Sequence, residues 1–382
     1  MTPPLRVFAV IASSDAGGAE EVFATLLRRL DRDRFEVYVA CHGQGVMFDE
    51  YRRHAAGIWS IDLRHVVRPR TIVRLARLMR ETRADLVHTH LWSADLLGGL
   101  AARRAGVPTV CTVTAEYFLA IGVSPLVALR RRLLSRTYRS TYWCADRVVA
   151  VSQYLARDLA ERPGIRVPAG KIDVVYNPLD EDRLAEQVRS AGASVRRWTR
   201  GSPVITTVAN FHPIKGHDVL VRAMPAVVER HPGATFVLVG DGPTRAAIEA
   251  RVAALGLTGH VVFTGQIAGG ARAIVGSDVV VVPSLSEGFG VSVIEAFALG
   301  TPVVATTAGG IPEIFGDQAV GWLVPPGDAD ALARAILAVL EDPAGARRRA
   351  ELGRRVVAER FSVERFVGRT EHLYRTLAGR AS

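Results

Sequence analysis

Two carboxylates, Glu287 and Glu295, stand with seven residues between them in the stretch Ser284-Leu-Ser-Glu-Gly-Phe-Gly-Val-Ser-Val-Ile-Glu-Ala-Phe-Ala-Leu-Gly300. Carboxylates do not help to hold a phosphate. They accept hydrogen bonds from hydroxyls. Gly288 and Gly290 lie in the same stretch, where they permit positive φ or close approach of a ligand to the backbone. The apolar run Val279–Val282 enters it and reads as a buried strand, which Pro283 ends. A helical pattern starts near Ser292, with Val293, Ile294, Phe297 and Ala298 at helical spacing, and Gly300 and Pro302 stop it. Strand, glycine-bearing loop and helix start together present free backbone N–H groups and the positive end of a helix dipole. That is a phosphate site. Phosphate donors beside hydroxyl acceptors point to a sugar nucleotide. The plainer alternative is that both glutamates only complement the helix N-terminus.

Other residues could do chemistry. Lys215 lies in Asn210-Phe-His-Pro-Ile-Lys-Gly-His-Asp218. Lysine and arginine number 48 together, yet only Lys171 and Lys215 are lysines, which favours a specific reason for lysine here. Gly17-Gly18 follows the first apolar run and opens a helix. His88-Thr89-His90 has the look of two metal ligands, but no carboxylate lies close in sequence, so a loop histidine pair is expected. Asp31-Arg-Asp33 and Asp328-Ala-Asp330 both spell a metal-holding pattern. The first falls in a helix-to-strand turn and the second at a helix N-cap, so neither is read as a metal site.

The two spaced glutamates, inside Ser-Glu-Gly-Phe-Gly and before Glu-Ala-Phe-Ala-Leu-Gly-Thr-Pro-Val-Val-Ala-Thr, resemble the signature of family 4 retaining glycosyltransferases. The following Gly309-Gly310-Ile311-Pro312-Glu313 matches as well. The resemblance implies the GT-B fold, two Rossmann-like domains with doubly wound parallel sheets facing a central cleft. It implies that Glu295 reads the ribose hydroxyls of the donor and Glu287 its sugar. Lys215 and the backbone around Gly288, Phe289, Gly290 and Val291 would neutralise the departing diphosphate. Gly17 and Gly18 would approach the donor, and Gln266 would lie near the nucleobase. Relatives have arginine where this chain has Asn210, which can donate hydrogen bonds to a phosphate but without charge. Relatives also carry histidine where this chain has Thr114. Thr114, Glu116 or Tyr117 could supply a polar group in its place, and His90 could line the acceptor side. The segment 125–142 has arginines edging an apolar stripe. Monotopic relatives use a similar element on anionic membranes, and an ordinary surface helix is the competing reading. The family retains anomeric configuration, and a front-face mechanism is expected because the sequence offers no convincing nucleophile.

The elements that must position these residues alternate strand and helix. Strands are expected at 6–12, 35–41, 85–90, 109–113, 147–151 and 172–176, with helices such as 19–30, 71–80 and 94–105 between them. Such alternation implies a parallel, doubly wound sheet. A second sheet starts at 204–209 and continues through 236–239, 261–264, 279–282 and 320–324. The polar segment 181–201 reads as the linker. The domain expectations are 1–185 on the acceptor side, 186–360 for the nucleotide-sugar, and 361–382 as a helix crossing back to the first domain.

Bulk composition narrows the classes. A chain of 382 residues with 49% hydrophobic residues supports two cores. Cys41, Cys111 and Cys144 form no CxxC pair, so neither a disulfide framework nor a zinc site is expected. No apolar run is long enough to span a membrane, and the run at 7–12 is too short for a signal core. The net charge of +10 favours anionic surfaces or substrates. No nucleic-acid module is present, so no nucleic-acid partner is expected. No GxGxxG follows the first strand, which argues against a bare Rossmann dehydrogenase. The expected protein is a metal-independent glycosyltransferase without cofactor. It moves a sugar, UDP-linked by the family's habit, to a glycan, lipid-linked or small-molecule acceptor. It would work in the cytoplasm, with the inner membrane face reachable through 125–142. Epimerisation, hydrolysis, or a glycan-binding role without catalysis are the alternatives.

Overall fold

A computed structural model describes residues 3–15, 17–63, 69–115, 139, 141–190, 195–199, 201–267 and 269–379. The chain divides into two compact units, Met1–Pro178 with Val363–Ser382, and Leu179–Ser362.

The first unit runs β1 (Leu5–Ile11), α1 (Gly18–Arg29), β2 (Phe35–Cys41), α2 (Phe48–His54), β3 (Gly57–Ser60), α3 (Pro69–Glu81), β4 (Leu86–His90), α4 (Trp92–Ala105), β5 (Thr109–Val113), β6 (Arg147–Ala150), α5 (Gln153–Glu161) and β7 (Ile172–Val174). Its strands lie in the order β3-β2-β1-β4-β5-β6-β7, all parallel. Side-chain alternation in β1 shows why the run is apolar throughout. Leu5, Val7, Ala9 and Ile11 pack with Phe23, Leu26 and Leu27 of α1. Phe8 and Val10 face the other way, onto Leu97 and Ala101 of α4. A parallel strand covered on both faces has no polar side to show.

The second unit runs α6 (Glu181–Ser190), β8 (Val204–Val208), α7 (His217–Arg230), β9 (Thr235–Val239), α8 (Arg245–Ala254), β10 (Val261–Gly265), α9 (Ala271–Ile274), β11 (Val279–Val282), α10 (Val291–Ala298), β12 (Val303–Thr306), α11 (Ile311–Phe315), β13 (Trp322–Val324), α12 (Ala329–Glu341) and α13 (Pro343–Arg360). The strands are again all parallel, in the order β10-β9-β8-β11-β12-β13. Ile205, Leu238, Val279 and Val281 form its core with Leu220 and Met224 of α7 and Ile336 of α12. The chain builds outward from β8 to β10, then returns to the opposite side of β8 for β11. Strand order therefore reverses between β8 and β11, and in the first unit between β1 and β4. Loops leaving the carboxyl ends of two such neighbours open a crevice, the usual ligand position in a doubly wound sheet.

The crossings between units lie at Pro178–Leu179 and Ser362–Val363. The backbone explains their place. Leu179 N–H donates to Phe361 O at 2.7 Å, and Leu179 and Ser362 form a parallel bridge. Helix α6, in the segment expected to be linker, belongs wholly to the second unit and packs Gln187 against Gly269. β3 and β12 are strands beyond those expected, and the last strand starts at Trp322 rather than 320.

The last helix, α14 (Val363–Leu377), completes the first unit's core with Val363, Phe366, Val367, Leu373 and Tyr374. Tyr374 is 1% exposed, and its hydroxyl lies 2.6 Å from His88 Nδ1. His88 Nε2 lies 2.7 Å from the Thr112 hydroxyl. Burial holds the His88 imidazole well below its usual range, helped by His90 beside it. The neutral ring therefore joins β4, β5 and α14 through both nitrogens. Tyr374→Phe leaves one buried nitrogen without its partner. It should lower stability by about 1–2 kcal/mol in chemical denaturation, without altering donor binding.

Candidate active site

Lys215 and Glu287 are 72 residues apart and meet at the reversal between β8 and β11. Lys215 Nζ lies 2.7 Å from Glu287 Oε2, with side-chain exposures of 25% and 15%. Ser284 Oγ donates to the same oxygen at 3.2 Å. Lys215 ends a short 3-10 turn, Pro213–Lys215, in the loop leaving β8. Glu287 sits in the loop leaving β11. Leu285 N–H donates to Ile214 O at 2.7 Å, and Ser286 N–H to the same oxygen at 3.3 Å. These bonds stitch the two loops together and fix the distance between the charged groups.

Two glycines make that approach possible. Gly216 has φ +69, and a Cβ there would be built into Pro283 O. Gly309 has φ +57, and a Cβ would overlap the Glu287 carbonyl. That carbonyl accepts from Gly310 N–H at 3.1 Å. An L side chain at either place meets both a disfavoured backbone angle and a steric collision. Gly309→Ala should lower stability by about 2 kcal/mol and reduce donor binding with it, since the displaced group is the backbone of Glu287. Thermal unfolding together with a binding isotherm measures both.

The helix that follows supplies uncommitted donors. Gly290 is the N-cap of α10, and Val293 is the first residue whose N–H bonds back into the helix, to Gly290 O at 3.0 Å. The amides of Val291 and Ser292 precede it at the positive end of the helix. Gly288, Phe289 and Gly290 are buried. Phe289 is an anchor: its side chain is 1% exposed and meets Phe361 edge-on at 5.2 Å. Any contact it makes with a donor comes from its backbone. Glu295 is half-buried on α10. A Cβ on Gly270 would stand 2.8 Å from Val208 Cγ1 and 3.9 Å from Glu295 Oε2, so the carboxylate faces the carboxyl end of β8.

The remaining expected residues fall at strand ends, each within its own unit. Asn210 is exposed at the end of β8. Gln266 is exposed beyond β10, two strands away from β8. In the first unit, Gly17, His90 and Thr114 lie at the carboxyl ends of β1, β4 and β5. His90 ends its strand as expected but is buried, unlike a loop histidine. It is the last residue of β4, 4% exposed, with its ring 4.0 Å from that of His88 and 4.8 Å from that of Phe23 and tilted to both. Burial pushes its pKa down to about 3, so the ring is neutral. His88 and His90 are thus core residues of one strand face, not a loop pair. Glu116 and nearly all of 125–142 lie outside the described residues.

Three features escaped the sequence reading. Glu20, at the third position of α1, is 9% exposed and folds its carboxylate back onto Gly17. The carboxylate interacts with its own backbone N–H and with the Ser13 side chain, and Gly17 has no side chain to cap the helix itself. An internal carboxylate already occupies the positive end of α1, so this helix start offers a diphosphate less than α10 does. Burial raises the Glu20 pKa. Ser284, whose role was unassigned, supports Glu287. His217, 2% exposed, stacks on Phe211 at 4.1 Å beneath the Lys215 turn. Burial, with the Lys215 charge, lowers its pKa to about 4, so it adds no positive charge. Among the described residues, no three His, Cys, Asp or Glu side chains gather as metal ligands would, and no helix is long and apolar enough to cross a membrane.

This geometry agrees with comparisons across the chain. Residues 16–183 match the model described as Glycosyltransferase Family 4, and residues 202–342 match Glycosyl transferases group 1. The 2-deoxystreptamine glucosyltransferase of Streptomyces kanamyceticus is 32% identical over 323 residues, 81% of this chain and 82% of the relative. The chain belongs to glycosyltransferase family 4. It is a glycosyltransferase, and its two Rossmann-like units are those of the GT-B fold. Sucrose-phosphate synthase from Thermosynechococcus elongatus superposes with a TM-score of 0.81 at 25% identity, covering 98% of this chain and 100% of that one. Anabaena HepE in complex with UDP-glucose superposes with a TM-score of 0.78 at 22% identity, covering 97% and 100%. The pair Lys215–Glu287 lies in the loops before the α10 N-terminus, where a cation, a carboxylate and helix-start amides all belong to the second unit.

Proposed function

We propose that the chain moves a hexosyl group from a UDP-sugar to an acceptor hydroxyl with retention of configuration. One observation carries this reading. An ammonium group and a carboxylate meet at a sheet reversal, next to the free amides of a helix start. In this reading Lys215 and the amides around Val291 hold the diphosphate. Glu287 accepts from a sugar hydroxyl, and Glu295 from the ribose. Negative charge grows on the diphosphate as the glycosidic bond breaks, and preorganised donors stabilise it without reorganising. No described side chain beside the pair is a clear nucleophile, which supports attack by the acceptor on the face the diphosphate leaves. UDP is supported by the complex in which Anabaena HepE was seen. The acceptor is a glycan, a lipid-linked sugar or a small polyol. The compound in the Streptomyces relative's name, 2-deoxystreptamine, is the first small molecule to try.

Thermal unfolding with UDP, GDP and ADP tests the donor half. Ligand at 100 times its Kd should stabilise by about 2.7 kcal/mol, with UDP acting at the lowest concentration. Incubation with UDP-glucose and acceptor should then give product only when both are present. Sugar released or isomerised without acceptor would place the chain among hydrolases or epimerases instead. If no nucleoside diphosphate raises the melting temperature, the reading fails.

A further inference from the structure

We infer that the Lys215–Glu287 pair is a selectivity latch that favours an intact sugar nucleotide over a bare nucleoside diphosphate. The inference rests on the donor reading above and adds a consequence of the pairing itself. In the resting site each group is the other's partner, at 2.7 Å. A diphosphate that takes Lys215 must break that contact. Glu287 then needs another donor, and the Ser284 hydroxyl at 3.2 Å is already engaged with it.

Glu287 has little freedom to move away. Its carbonyl is tied to Gly310 N–H, and its loop is tied to Ile214 through Leu285 and Ser286. Gly309 packs against the same carbonyl with no space to spare. The released carboxylate therefore stays beside the incoming phosphates, and like charges at this range repel. An intact sugar nucleotide removes the difficulty, because a sugar hydroxyl can donate to Glu287 as Lys215 turns to the phosphate. A nucleoside diphosphate, the product, has no such hydroxyl to offer. Inorganic pyrophosphate has none either. His217 is neutral beneath the turn and supplies no second cation. The latch thus weakens product and stray anions selectively and speeds product release.

Calorimetry on the full chain with UDP and with inorganic pyrophosphate tests this. Glu287→Gln removes the charge while keeping the shape. It should bind both ligands roughly tenfold more tightly than wild type, and Glu287→Ala should shift in the same direction. The preference for UDP-glucose over UDP should shrink by a similar factor. Unchanged or weaker UDP binding by both folded Glu287 variants overturns the inference and leaves the donor reading standing. Failure of the wild type to bind UDP, GDP or ADP overturns the donor reading, and the inference with it.

Discussion

Lys215→Ala should lower turnover by about 100-fold or more while shifting the melting temperature by little. The two halves of that result have different causes. Removing one preorganised donor from a site of developing charge typically costs 10²–10³ in kcat. Lys215 is the sole lysine near the reversal, and its turn is held by the bonds to Ile214 that also position Glu287. The ground-state donor already carries phosphate charge, so KM should rise as well. The additional negative charge on the leaving group makes kcat fall too, and kcat/KM falls most. Stability should barely change, since a partly exposed ion pair contributes about 0–1 kcal/mol. Lys215→Arg keeps the charge in a larger, flatter head and should recover only part of the rate. Wild-type turnover in Lys215→Ala, measured with saturating donor and acceptor, would remove Lys215 from the mechanism.

Much of this site was legible in the sequence because its parts are local. The apolar run at 279–282, the proline after it, the glycines and the helical spacing from 293 onward all act within one short stretch. They become β11, its loop and α10. The alternation that predicted parallel sheets also held, because a strand buried on both faces must be apolar throughout. β3 was missed since Gly57–Ser60 is a short edge strand without an apolar run. Distance in sequence hid the rest. Nothing near His88 reveals that Tyr374 would come to its ring across 286 residues. Without that partner a histidine pair at a strand end looks like a loop feature. Lys215 and Glu287 were each singled out, but their mutual bond depends on β8 and β11 being neighbours. Only the strand order supplies that. Phe289 shows the converse. Its place in the motif suggests contact with a ligand, while its ring is committed to Phe361.

Asp95 leads to a prediction with an unusual sign. It lies in the first turn of α4 with 0% exposure, and Thr89 Oγ1 donates to Oδ1 at 2.6 Å. Its Oδ2 is buried without a partner among the described residues. Burial pushes the carboxyl up from 3.8 to about 8, against the smaller opposing effect of the Thr89 hydroxyl. Between those two values the folded chain keeps a proton that the unfolded chain has released. Stability linked to this group therefore falls as pH rises from about 4 to 8 and levels off above. Paired carboxylates, whose pKa values are lowered, behave the opposite way. One pKa unit corresponds to about 1.4 kcal/mol, so the loss between pH 5 and pH 8 should be about 4 kcal/mol. Asp95→Asn keeps the acceptor for Thr89 and never ionises. It should match wild type near pH 4 and be the more stable protein by several kcal/mol at pH 8. Denaturant unfolding at pH 4.5, 6 and 8 reads the difference directly. A gap that does not change with pH would mean that Asp95 is ionised in the folded state. The Thr89 bond, at the strand end next to the first unit's own sheet reversal, would then be joining a charge rather than a neutral acid to β4.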